Sequence, residues 1–142
     1  MLNAFEMLAS TRPLILIGCD CPALQMSHFR MCADALRSGY DAVFISTEDG
    51  GYALIGAPRP WPQLFRDIPW GSSNVMPESR VRAKRSGLRI AEPALLWDVD
   101  TSENYERAVR LKLLPDLVGR PVDARRDQFD QVIDDKSGVH QS

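Results

Sequence analysis

Leu14-Ile15-Leu16-Ile17 constrains the fold of this chain more than any other stretch. A continuous apolar run without polar alternation reads as a strand buried on both faces, the kind found inside a parallel sheet. Pro22 prevents the strand from continuing, and Gly18-Cys19-Asp20-Cys21-Pro22 sets one carboxylate where the run leaves the core. The pattern recurs. A second buried strand is expected over 41–47, around Ala42-Val43-Phe44-Ile45, and runs into Glu48-Asp49-Gly50-Gly51-Tyr52. Leu95–Trp97 runs into Asp98-Val99-Asp100-Thr101. If these strands share one sheet, their acids converge at its edge.

The intervening segments have helical spacing. Phe29, Cys32, Ala33 and Leu36 form an apolar stripe, with Ser27 as the expected N-cap and Ser38-Gly39 as the stop. Strand, helix and second strand predict a right-handed βαβ unit with parallel strands. Tyr52–Gly56 is a third short strand, and the Gly50-Gly51 turn lets it pair antiparallel with its predecessor. The proline-rich stretch 57–71 reads as an ordered loop anchored by Trp61, Phe65, Ile68 and Trp70. A helix is expected from Ser72 or Ser73 to about Arg85. Two short strands follow, Leu88–Ala91 and Leu95–Trp97, separated by Pro93, and then a helix capped by Thr101. Leu2, Phe5, Met7 and Leu8 predict a helix at the start. Beyond Asp116 the composition turns charged, and residues 116–142 read as a tail with one docked helix around Phe129, then disorder.

The chain has 142 residues, 44% of them hydrophobic, enough for one domain with a core. A formal charge of −2 gives no general attraction to nucleic acid or anionic membrane, and no apolar run approaches the ~18 residues of a spanning helix. Three cysteines form no disulfide framework, so a cytoplasmic location is the expectation.

Asp20 can be a metal ligand or the cap of the next helix; at strand ends of open α/β sheets both occur. Cys19 and Cys21 read as buried small hydrophobes, since two thiols at i and i+2 point to opposite strand faces. Glu48-Asp49-Gly50-Gly51 can be a plain hairpin turn, or a turn whose glycines admit a ligand close to the backbone. Asp98 and Asp100 fall on one side of an extended segment and can share a cation, unless Asp100 only caps the following helix. Arg80, Arg82, Lys84, Arg85 and Arg89 read as a solvated helix face rather than a phosphate site. Neither His28 nor His140 has a visible catalytic partner, and no Walker or dinucleotide loop is present.

Four segments in order resemble a bacterial family of glycosyltransferase-A-like proteins in the nucleotide-diphospho-sugar transferase superfamily, related to molybdopterin and phospholactate nucleotidyltransferases. They are Leu-Ile-Gly-Cys-Asp-Cys-Pro at 16–22, Glu-Asp-Gly-Gly-Tyr at 48–52, Leu-Phe-Arg-Asp-Ile-Pro-Trp-Gly at 64–71 and Trp-Asp-Val-Asp-Thr at 97–101. The resemblance implies a Rossmann-like three-layer α/β/α fold of glycosyltransferase-A type, with a mostly parallel sheet and an antiparallel strand, over residues 1–115. It implies Asp20, Asp98 and Asp100 as ligands of Mg²⁺ or Mn²⁺, and Asp49 and Glu48 as catalytic acids. Gly50, Gly51, Tyr52 and Trp70 would meet the substrate, a nucleotide sugar or nucleotide in intact relatives.

Departures from that pattern shape the functional expectation. Family members open with a strand and a glycine- and lysine/arginine-containing phosphate loop, and nothing from Met1 to Pro13 resembles one. Position 19 is Cys, so a strict Asp-x-Asp is absent, and Ser46-Thr47 stands where a Gly-Pro-like turn is usual. The expectation is a fold truncated at its N-terminus: a glycosyltransferase-like or nucleotidyltransferase-like domain, weak or inactive alone. The alternative is a non-catalytic binding or self-assembly module; the exposed sheet edge calls for cover, by self-association into a homo-oligomer or by the tail helix around Phe129.

Overall fold

A computed structural model describes residues 2–8 and 12–114. The expected tail helix around Phe129 lies outside the described residues. Along the chain run α1 (Leu2–Leu8), β1 (Leu14–Ile17), α2 (Met26–Arg37), β2 (Ala42–Thr47), β3 (Tyr52–Ala57) and a 3₁₀ turn at Pro62–Leu64. Then come α3 (Val75–Arg85), β4 (Ile90–Leu96) and α4 (Ser102–Arg110).

Strand β2 is buried along its whole length, and its side chains alternate between two cores. Ala42 and Phe44 point to a core that also holds Ile55, Phe5 of α1, Met76 and Ala83 of α3, and Leu64 and Phe65 of the loop. Val43 and Ile45 point the other way, to Leu54 and Cys32 of α2. Helices therefore cover both faces of the sheet, as a run apolar on both faces demands. Phe5 is fully buried, which ties the short α1 into the first core.

The strand order is β1-β3-β2-β4. β2 pairs antiparallel with β3 and parallel with β4, and β1 pairs antiparallel with β3. The sheet is thus mixed, with two of its three ladders antiparallel, where a mostly parallel sheet was expected. The cause is local. The chain reverses at Gly50-Gly51 directly after β2, so β3 has to lie beside β2 and takes the place a βαβ unit would give to β1. β1 and β2 still run in the same direction, one strand apart. The two strand candidates around Pro93 form one strand, β4. It lies at the sheet edge, and its register against β2 shifts between Val43 and Ile45, opposite the segment that holds Pro93.

Other local expectations are adjusted by side-chain partners. α2 begins one residue before Ser27: Gln25 is the N-cap, and its backbone N–H donates to His28 Nδ1 at 2.9 Å. α3 begins at Val75 because Ser72 is occupied in a turn, its hydroxyl donating to the Pro69 carbonyl at 2.7 Å. Thr101 caps α4 as expected, its Oγ1 accepting from the Asn104 N–H at 3.2 Å. Cys21 and Cys32 are buried, but Cys19 is exposed. The basic stretch is not merely solvated. Arg80 forks onto Glu92 of β4 at 2.8 and 2.7 Å, and Arg82 bonds Glu78 and the carbonyls of Arg66 and Asp67, closing the proline-rich loop onto α3.

Candidate functional site

Because β1, β2 and β4 run the same way, their carboxyl ends open at one edge of the sheet, where α/β folds place ligands. Backbone bonds stitch the three exits together. Gly18 N–H donates to the Ala53 carbonyl at 2.8 Å, Val99 N–H to the Asp20 carbonyl at 2.9 Å, and Glu48 N–H to the Leu96 carbonyl at 3.0 Å. The Cys21 thiol adds a bond to the Trp97 carbonyl at 3.2 Å. This lacing brings carboxylate oxygens of Asp49, Asp98 and Asp100 within 4.8 Å of one another. Asp20 lines the same cavity but stands outside that group of three.

The Asp49 turn is both a hairpin and a piece of the site. Asp49 Oδ1 accepts from the Thr47 hydroxyl and from the Gly51 N–H at 2.9 Å. Gly50 sits at φ +91°, and a Cβ there would lie 2.1 Å from the Ser73 carbonyl oxygen. The Met76 N–H donates to the Gly50 carbonyl at 2.8 Å. Glycine is needed at this position because the backbone of the following loop is pressed against it. The acidic turn and the segment that carries Trp70 are thereby held together.

Like charges dominate the electrostatics. Asp98 titrates above the usual carboxylate range, first because it is partly buried and then because Asp49, Asp100 and Asp20 crowd it with negative charge. A set of hard carboxylate oxygens with this crowding fits Mg²⁺ or Mn²⁺, which take oxygen ligands and neutralise such repulsion. Of the residues expected to bind metal, Asp98 and Asp100 come together with Asp49, and Asp20 borders them.

Glu48 is directed elsewhere. Its carboxylate accepts from Arg107 of α4 at 2.9 and 3.3 Å, and it lines neither of the two cavities at this edge. The same guanidinium lies 4.4 Å above the Trp97 ring. Arg107 therefore clamps the residue before Asp49 to the residue before Asp98. Sequence reasoning missed it, because a basic residue in the last turn of a helix reads as a partner of the helix dipole. Tyr52 packs edge-on to buried Phe44, at 5.1 Å between ring centroids, and to Trp70 at 6.4 Å. Burial pushes the Tyr52 phenol well above its ordinary pKa, so it stays protonated at neutral pH. Trp70 is 47% exposed.

Two cavities share Asp20, Asp98 and Tyr52. One of about 270 Å³ lies between the four aspartates and the Tyr52–Trp70 wall. The other, about 460 Å³, runs along β1 past Gly18 to Ala4 of α1.

Comparison with known proteins agrees with this architecture. The crystal structure of a presumptive nucleotide-diphospho-sugar transferase from Desulfovibrio desulfuricans G20 superposes with a TM-score of 0.67 at 25% identity. The match covers 94% of this chain and 57% of that one, so the chain spans little more than half the length of its structural relative. No curated protein matches the chain. A family model described as an uncharacterized protein conserved in bacteria (DUF2064) matches residues 1–72, the half of the chain that holds Asp20, Asp49 and Trp70, and the chain belongs to that family.

Proposed function

We propose that this domain supplies the cation-binding and acceptor side of a nucleotide-sugar transferase site, with nucleotidyl transfer as the related chemistry. One observation carries the reading: three parallel-running strands deliver Asp20, Asp49, Asp98 and Asp100 to one cavity, with Asp49, Asp98 and Asp100 close enough to share an ion. The likeness to a presumptive nucleotide-diphospho-sugar transferase supports it.

Asp49, Asp98 and Asp100 would hold the Mg²⁺ or Mn²⁺, with Asp20 beside them. When bound, such an ion offsets the charge that develops on a departing diphosphate. The chain's own residues orient and deprotonate. In glycosyl transfer an acceptor hydroxyl forms a bond to the anomeric carbon as the bond from that carbon to the diphosphate oxygen breaks. The nucleoside diphosphate leaves, and the hydroxyl proton passes to a carboxylate. Asp20, which lines the cavity outside the group of three, is left to take that proton, while Asp49, its Oδ1 pinned by Thr47 and Gly51, keeps Oδ2 for the ion. Glu48 contributes through Arg107 rather than by touching substrate. Among the described residues no lysine, arginine or histidine lines either cavity, so the described lining offers phosphates no side-chain cation to grip, and weak nucleotide binding is the expected outcome.

Calorimetry tests this. Mn²⁺ should bind alone, and a nucleotide sugar should bind only with Mn²⁺ and weakly, with a Kd of roughly millimolar. Absence of Mn²⁺ binding would sink the cation reading. Micromolar nucleotide-sugar binding abolished by Asp20→Asn would overturn the weak-binding one.

The assembly reading has its own observation. β1 is an edge strand with an apolar sequence, Ile17 is 57% exposed, and Met7 and Leu8 of α1 are exposed at 78% and 61%. Among the described residues no further strand pairs with this edge, and an apolar edge is a template for pairing with a second copy. Light scattering should find a dimer that Ile17→Lys dissociates; a monomer at high concentration excludes this reading.

A further inference from the structure

The cavity beside Asp49 has two unlike walls, and their combination narrows the acceptor. One wall is carboxylate. The other is the Trp70 indole, which is half exposed although tryptophan gains much by burial. The ring is fixed from beneath by the edge-on series Phe44–Tyr52–Trp70, which starts in the core. Its backbone is fixed as well: Trp70 N–H donates to the Ile68 carbonyl at 2.8 Å, and Ser72 Oγ donates to the Pro69 carbonyl at 2.7 Å, bracketing Trp70 in the turn. The close seating of Gly50 on Ser73 locks this segment to the acidic turn. Among the described residues the indole N–H has no hydrogen-bond partner. An indole held this rigidly beside four carboxylates is a prepared surface rather than a stray apolar side chain.

Size and charge then select. About 270 Å³ lies just below the range of roughly 300–1,000 Å³ typical of drug-sized ligands, so the space beside Trp70 is matched in size to one ring. Its carboxylates accept hydrogen bonds from hydroxyl or ammonium groups, and the indole face packs against an apolar or cationic ring face. With four carboxylates and no basic side chain among the described residues of its lining, the cavity repels a phosphate or carboxylate. We infer that this cavity is the acceptor subsite and that it takes a single hydroxyl-bearing sugar ring, neutral or amino-substituted, stacked on Trp70. The inference rests on the transferase reading and deepens it. An acceptor that bears a hydroxyl and no phosphate favours glycosyl transfer over nucleotidyl transfer to a phosphorylated acceptor.

The test uses the whole chain without metal and three related probes: methyl glucoside, glucosamine and glucose 1-phosphate. Saturation-transfer NMR and indole fluorescence should show the first two binding at roughly millimolar Kd, and the phosphate at least about tenfold more weakly. Trp70→Ala should weaken sugar binding about tenfold, while Trp70→Phe, which keeps a ring, should stay within about threefold. Trp70 is half exposed, so circular dichroism should report both variants folded. Equal or tighter binding of the phosphate, unchanged binding in Trp70→Ala, or no sugar binding at all would each overturn the inference. Mn²⁺ calorimetry is read separately: sugar binding without Mn²⁺ binding removes the cation reading and leaves the acceptor subsite standing.

Discussion

Asp98→Asn should make the protein more stable and a poorer ligand for metal at the same time. Asp98 has carboxylate oxygens of Asp49 and Asp100 within 4.8 Å. Two unit charges at that distance repel by about 0.9 kcal/mol even at the dielectric constant of water, and by more as the surroundings become less polar. Both neighbours are exposed, so salt and solvent discount the sum, and a gain of about 1 kcal/mol at low ionic strength is the reasonable scale. For a domain of this size that corresponds to a rise in Tm of about 3 °C.

The pH dependence fixes the sign. The folded-state pKa of Asp98 is raised, by burial first and by its acidic neighbours second. The folded chain therefore holds this proton more tightly than the unfolded chain. The stability due to the neutral acid is fully present below the unfolded value of ~3.9 and is lost as pH rises through the raised folded value. Asparagine has no such loss. The gap between Asp98→Asn and wild type should be near zero at about pH 3, open as pH rises, and shrink in high salt. Thermal melts across pH and ionic strength measure the first half of the claim, and Mn²⁺ calorimetry the second, with a loss of about tenfold or more in affinity. A variant that melts lower than wild type at neutral pH and low salt would refute the repulsion argument. Unaltered Mn²⁺ affinity would show that the three aspartates do not form the site.

Two further outcomes test the frame around the cluster. Arg107→Ala should weaken Mn²⁺ binding several-fold and raise amide exchange at Glu48 and Val99, whose N–H groups bond across the strand exits, while Phe44 stays protected; Arg107→Lys should restore only part, because an ammonium cannot fork onto Glu48 and cover Trp97 together. Gly50→Ala should destabilise by about 2–4 kcal/mol in denaturant unfolding, since it adds a Cβ clash with the Ser73 backbone to a left-handed φ.

The strands were legible because their signals are local. Ala42-Val43-Phe44-Ile45 is apolar at every position, and only a strand covered on both faces can bury such a run, as β2 does. The pairing order was less so. Parallel neighbours were expected of β1 and β2 from the helix between them, and the direction was right. The insertion of β3 depended on the Gly50-Gly51 reversal being tight enough to bring the chain straight back. That turn was visible, but its consequence for the neighbour of β1 is a property of the whole sheet. Pro93 misled in the same way: it interrupts a strand in sequence, yet at the edge its missing N–H costs no ladder bond to a further strand.

The site divides along a different line. That Asp98, Asp100 and Asp49 come together could be read from sequence, because each follows an apolar run at a strand end and strands that run one way deliver their ends to one place; that Asp20 stands outside the group of three could not. Glu48 has the same credentials one residue earlier and goes to Arg107 instead. Adjacent residues leaving an extended segment point to opposite sides, so of two neighbouring acids one can face the cavity while the other faces the flank. Which one does so was decided by Thr47 and Gly51, whose hydroxyl and N–H both claim Asp49, and by a guanidinium 59 positions away from Glu48. Exchanging the two acids would preserve composition, charge and motif, and would break both the clamp and the cluster. The register of the acid relative to the last strand residue therefore decides which acid joins the cluster, more than the presence of an acidic pair does.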